Sequence, residues 1–252
     1  MSLFCLVHGA LQGAWCWDLL IPELEARGHK TVAMDLPIED PSATLSDFAD
    51  AVVQAIPEDE DNVVVVGHSM AGTVIPLVAT QRRVRRLVFL AALIPHVGTS
   101  VLDQFYDEVD PNALKALGYE LPEASKFEQF RDEPDMYNPA VLGAALGKDS
   151  SGNEALAMEV LFHDCEPDVA RWAISKLRNQ QSMAHIFEVT PLQAFPDVEY
   201  TYIVCTDDRT ISPVWSRYAA RKRLGVDAIE LPGGHCPYLS RPTHLASVLS
   251  AE

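Results

Sequence analysis

The stretch that most constrains this chain is Val63-Val64-Val65-Val66-Gly67-His68-Ser69-Met70-Ala71-Gly72. Four β-branched residues in a row predict a short strand, apolar on both faces, of the kind found inside a parallel sheet. From Thr73 to Thr80 the composition turns helical, and the charged Gln81-Arg82-Arg83 closes the segment. A strand therefore feeds a helix through a tight turn with Ser69 at its apex. Small residues at 67, 71 and 72 allow strand and helix to approach closely. In the common pattern G-x-S-x-G the last place is glycine; here Ala71 occupies it, and its small size predicts that the turn survives.

The rest of the chain supplies the partners such a strand needs. Phe4–Val7, Thr31–Met34, Leu87–Leu90, Glu199–Cys205 and Val226–Leu231 also read as strands. Predicted helices over Trp15–Arg27, Ser42–Ile56, Thr73–Gln81, Pro213–Arg223 and Arg241–Ser250 alternate with them. This alternation predicts an α/β fold with a mostly parallel sheet of about six strands and helices on both faces. With 252 residues the chain suits one α/β domain with an insertion. The rhythm breaks after Pro95, where broken helical pieces run to about Gln181: Ser100–Glu108, Pro111–Leu117, Ser125–Phe130, Pro139–Leu146, Asn153–Phe162 and Pro167–Leu177. Residues 1–94 and 182–252 are therefore read as the core, and 95–181 as a helical cap over the C-terminal edge of the sheet. Phe105, Tyr106, Phe127, Phe130, Tyr137 and Trp172 either wall a pocket there or form the cap's own core.

Charge and cysteines narrow the function. A net charge of −17 leaves no basic stripe for nucleic acid. The cluster Arg82-Arg83-Val84-Arg85-Arg86 is better placed to neutralise a helix C-terminus. No apolar run is long enough for a bilayer. The first seven residues carry neither a basic n-region nor a cleavage site, so no secretory signal is expected and the cytoplasm is the expected compartment. The five cysteines are expected to be free thiols.

A serine hydroxyl at a strand–helix turn needs a base to take its proton and an acid to orient that base. On this strand–helix plan the chain order is Ser, then Asp or Glu, then His. His235 follows Gly233-Gly234 in the loop after the last strand and is the preferred base; His244, inside the final helix, reads as a surface residue. Asp207 and Asp208 both follow the fifth strand. Asp208 is the preferred acid by a modest margin, with Asp207 left as a turn residue. The oxyanion donors are assigned to the backbone N–H groups of Met70 and Ala10. His8 and His68 are expected to hold loop backbone rather than to react. No H-E-x-x-H, C-x-x-C or G-x-G-x-x-G is present in a fitting context, so neither a metal nor a cofactor is expected.

Leu6-Val7-His8-Gly9-Ala10, Gly13-Ala14-Trp15-Cys16-Trp17, the 67–72 turn, Tyr202–Asp208 and Gly234-His235 together resemble one branch of the α/β-hydrolase superfamily. That branch contains plant methylesterases and hydroxynitrile lyases. The resemblance implies an α/β-hydrolase fold, the triad Ser69, His235 and Asp208, and oxyanion donors Ala10 and Met70. It also implies a small-molecule ester substrate and a possible homodimer. Lyase members of one plant group carry threonine where Gly9 stands and lysine where Cys236 stands, so the resemblance favours ester hydrolysis. Cyanohydrin cleavage, or a ligand-binding homologue without turnover, are the competing expectations. Leu161–Pro167 is similar to a stretch in bacterial relatives to which the sequence assigns no role.

Overall fold

Val63–Val66 lie at the centre of the sheet and are fully buried. The computed structural model describes residues 1–105, 128–137, 141 and 154–251. Six strands form one parallel sheet: β1 Leu3–Val7, β2 Lys30–Ala33, β3 Val63–His68, β4 Arg86–Leu90, β5 Glu199–Cys205 and β6 Ile229–Leu231. Their order is β2-β1-β3-β4-β5-β6, and every pairing is parallel. The α/β architecture expected from the alternation is present, with helices on both faces.

The two-residue period of the strands divides the core. Cys5, Val63, Val65, Leu87 and Phe89 pack on one face with α2 (Leu45–Ala55) and α3 (Ile75–Gln81). Phe4, Leu6, Val64, Val66 and Leu90 pack on the other with α1 (Ile21–Glu25) and the last helix, Pro242–Ser250. Helix α2 starts at a capping box, where Thr44 and Asp47 each bond the other's backbone N–H. Arg82 donates to the carbonyls of Ile56 and Glu60 beyond the end of α2, and Arg86 donates to that of Leu249 near the end of the last helix. Both arginines therefore serve helix C-termini, as expected of the basic cluster.

Several boundaries differ from expectation. The helix predicted over Trp15–Arg27 is a 3₁₀ turn, Ala14–Trp17, followed by the short α1. β6 begins at Ile229 rather than Val226. The helix from Pro213 is α-helical only to Ala219, then forms a π turn over Ala220–Leu224 that ends at Gly225 with φ +71°. Between β4 and β5 the described helices are α4 (Glu154–Val160), α5 (Pro167–Ser175) and α6 (Ala184–Phe187), with 3₁₀ turns at Leu102–Gln104 and Glu128–Phe130. The helices expected over Pro111–Leu117 and Pro139–Leu146, apart from Val141, lie outside the described residues, as do Tyr106 and Phe127. After β5 come α7 (Pro213–Ala219), α8 (Pro237–Ser240) and α9 (Pro242–Ser250). None of the described helices is long and apolar enough to cross a membrane. All five cysteines are free thiols, and four of them are buried.

Candidate active site

Parallel strands bring their C-terminal ends to one edge, so the loops leaving β1, β3, β5 and β6 meet there. At the end of β3, Ser69 has φ +53°, a left-handed conformation that costs a non-glycine residue about 1 kcal/mol or more. The surrounding packing holds it. A Cβ on Gly67 would come within 2.7 Å of Ile75. A Cβ on Gly72 would come within 1.9 Å of the Leu93 carbonyl oxygen. The glycine this turn requires is thus Gly72, whereas position 71 tolerates the buried alanine methyl. This is the physical reason Ala71 is acceptable in the last place of the motif.

The histidine loop and the acid loop meet directly. His235 Nδ1 lies 2.8 Å from Asp208 Oδ2, and both side chains are buried. The carboxylate can only accept, so Nδ1 donates and Nε2 keeps the lone pair. Asp208 Oδ1 accepts the N–H groups of Thr210 and Ile211 at 2.7 and 3.1 Å, which locks its orientation. Asp207 does something different. It is exposed, and its Oδ2 accepts from Thr206 Oγ1 and the Gly233 N–H, tying the two loops together. His244 is exposed on α9. Ser69, His235, Ala10 and Met70 line one cavity of about 140 Å³. Among the described residues no hydrogen bond joins Ser69 to His235; in unliganded sites such contacts are often long.

Two further histidines brace the site. His8 Nε2 accepts the Leu36 N–H at 2.9 Å, so its Nδ1 donates to the Gly9 carbonyl at 2.8 Å. Burial pushes His8 down to about 4, so the ring is neutral near neutral pH. In a trans peptide C=O and N–H point opposite ways. Holding the Gly9 carbonyl therefore turns the Ala10 N–H the other way. His68 Nε2 donates to the His235 carbonyl at 2.9 Å, and Tyr238 Oη lies 3.4 Å from its Nδ1. Burial, then the nearby His235, hold His68 well below the usual histidine range. Tyr238 also donates to Gln12 Oε1 at 2.8 Å. A buried polar network thus runs from the β1 loop to the histidine loop.

The segment between β4 and β5 reaches all of these loops. Asp164 Oδ2 accepts the Gly234 N–H at 2.8 Å and lies 3.6 Å from Arg241. Glycines facing it give the carboxylate room: a Cβ on Gly233 or Gly234 would come within 2.7 or 2.6 Å of it, so Asp164 would have to shift. Thr210 donates to the Val160 carbonyl, and the Ser212 N–H to that of Met136. Gln180 Oε1 accepts the Leu11 N–H, and the Arg178 N–H donates to Leu11 O at 2.7 Å. The stretch Leu161–Pro167 thus has a physical place, as a strut against the histidine loop. Its signal in the sequence was an acidic residue among small and apolar ones, and no local periodicity could pair it with Gly234. Of the large residues weighed for the pocket, Phe105 and Tyr137 line the cavity. Phe130 instead packs under Arg223, and Trp172 packs edge-on against Trp15.

No group of three or more His, Cys, Asp or Glu side chains that could hold a metal ion is present among the described residues. The profile of the Alpha/beta hydrolase family matches residues 6–247. Norfluorocurarine synthase 2 from Strychnos sp is 28% identical over 269 residues, covering 98% of this chain and 93% of that protein. Methylesterase 2 from Arabidopsis thaliana is 27% identical over 274 residues, covering 98% and 94%. Among solved structures, a pyrethroid hydrolase from Sphingobium faniae JZ-2 superposes with a TM-score of 0.77 at 24% identity, covering 99% of this chain and 96% of that one. The match spans nearly the whole length: the chain belongs to the alpha/beta hydrolase family, and the relatives it is similar to along that length include a plant methylesterase.

Proposed function

We propose that this protein is a serine hydrolase of small carboxylic esters. The observation that carries the reading is the buried His235–Asp208 pair opening on the same cavity as Ser69 at its strained turn. In the proposed reaction Ser69 Oγ attacks the ester carbonyl while His235 Nε2 takes its proton. The tetrahedral oxyanion is held by the N–H groups of Met70 and Ala10. Met70 stands at the start of a helical turn, where N–H groups lack helical acceptors. The imidazolium, stabilised by Asp208, then gives its proton to the leaving alkoxide. A water repeats the sequence on the acyl-enzyme, with His235 again as base, and releases the acid and free Ser69. No cofactor enters this scheme.

Ester cleavage is favoured over cyanohydrin cleavage by two positions. A Cβ at Gly9 would lie 2.9 Å from Ser69 Cβ and 2.8 Å from His68 Nδ1, so the threonine of the lyases would crowd the nucleophile. Cys236, where they carry lysine, is fully buried, with its Sγ 3.1 Å from Tyr238 Oη. A cation there would enter the network behind the site. The relative named a methylesterase supports the same reading.

The test is turnover of short-chain aryl and methyl esters, and of mandelonitrile, by the wild-type protein and by Ser69→Ala. The proposal expects ester hydrolysis that disappears with the hydroxyl. Cleavage of mandelonitrile without ester hydrolysis would replace it with the lyase reading. A third outcome, ligand binding without turnover of either, would favour the non-catalytic homologue.

A further inference from the structure

Among the described residues the cavity wall is apolar except at a few side chains, and nearly all of those are already engaged. Gln12 binds Tyr238 and Cys236. Gln180 accepts from Leu11 and donates to Ser182, Thr210 donates to Val160, and His68 holds the histidine loop. His185, on α6, differs. It is 7% exposed and lines the same cavity as Ser69, and its Nδ1 is buried with no hydrogen-bond partner. A buried polar atom left unpaired is costly, and native structures retain few of them. Among the described residues none of the lining side chains is an aspartate, glutamate, lysine or arginine.

We infer that His185 is a specificity-determining residue, and that the preferred substrate is an uncharged ester whose apolar body carries a neutral hydrogen-bonding group, such as a hydroxyl, away from the scissile carbonyl. This inference rests on the ester-hydrolase reading. Burial pushes His185 down to about 4, so near neutral pH the ring has one N–H donor and one acceptor nitrogen and suits a hydroxyl in either direction. Among the described residues a carboxylate or ammonium on the substrate would find no counter-ion in this cavity and would enter at a large desolvation cost. The apolar remainder of the wall takes the body of the molecule.

The probes are methyl phenylacetate and its 3-hydroxy and 4-hydroxy derivatives, assayed with wild type, His185→Phe and His185→Gln. Wild type is expected to prefer one hydroxylated isomer over the parent. His185→Phe should lower that hydroxy-to-parent ratio of kcat/KM by roughly tenfold or more, and His185→Gln should retain part of it. An unchanged ratio in folded His185→Phe overturns the inference. So does an equal loss on all three esters, which would mark the ring as packing alone. A second arm does not need turnover: calorimetric binding of phenylacetamide and its hydroxy derivatives to Ser69→Ala, with and without His185→Phe. A His185-dependent preference in binding without ester turnover in wild type would sink the ester reading and keep the pocket assignment. Turnover of the parent ester with no His185-dependent preference in either arm would do the reverse.

Discussion

Two regions meet over the cavity, and they are built differently. The strand-end loops carry Ser69, Asp208 and His235 on short connections fixed by the sheet. The segment between β4 and β5 contributes mostly cavity wall and struts: Asp164 against Gly234, Val160 against Thr210, Gln180 against Leu11. The first region holds these three side chains in place through backbone strain and buried hydrogen bonds. The second holds those loops from above. On the reading proposed here, damage to the first region should abolish chemistry, and damage to the second should loosen it by a smaller factor.

The largest effect should come from the nucleophile. Ser69→Ala should lower ester kcat by at least about 10⁴-fold, measured with an aryl ester after excluding contaminant hydrolase. The acid pair comes next. Asp208→Asn should lower kcat by on the order of 10³- to 10⁴-fold, because it upsets the tautomer of His235. Asp207→Asn should cost less than about tenfold, since its partners are Thr206 and Gly233 rather than the imidazole. A larger loss at Asp207 would show that the wrong aspartate has been paired with the base.

The strut is the place where the comparison can break. Asp164→Ala should lower kcat by about 10- to 100-fold with little change in KM, because a misplaced His235 loop slows proton transfer more than binding. Asp164→Asn keeps a carbonyl acceptor for the Gly234 N–H and should recover most of the loss. If both variants behave like wild type, the segment only covers the site. If Asp164→Ala matches Asp208→Asn, the division between the two regions is false.

A smaller effect concerns stability. His8 and His185 are both held down to about 4 by burial, against an ordinary value of 6.5. Between these values the unfolded chain binds more protons than the folded one. The stability they give is full above about pH 6.5 and is lost as pH falls toward 4, up to roughly 3 kcal/mol for each ring. Urea midpoints should therefore fall between pH 7 and pH 5, and His185→Phe should flatten part of that fall. A midpoint that rises on acidification would contradict the buried neutral state of these rings.

Legibility followed the same division. The Val63–Val66 run and the Gly67–Gly72 turn are local signals, and the strand and turn they imply are present within a residue or two. His8 and His68, read as holding loops, do bond loop backbone. The sequence could not choose firmly between Asp207 and Asp208, because adjacent residues in a loop differ only in the direction the chain gives them. The apolar spacing that predicts a helix over Trp15–Arg27 continues through a 3₁₀ turn whose Trp17 packs against Tyr238 on α8, far away in sequence. Asp164 and His185 were invisible for a related reason. Their meaning depends on loops 70 residues away in one case and on a cavity in the other, and neither leaves a periodic trace.

The central claim is that Ser69 forms an acyl-enzyme with His235 and Asp208 behind it. The most direct measurement is rapid mixing with a p-nitrophenyl ester followed by acid quench and peptide mass spectrometry. The account predicts a burst of p-nitrophenol of one equivalent or less and an acyl mass increment on the peptide containing Ser69, absent in Ser69→Ala. Hydrolysis that persists undiminished in Ser69→Ala, or an acyl group found on another residue, would contradict it.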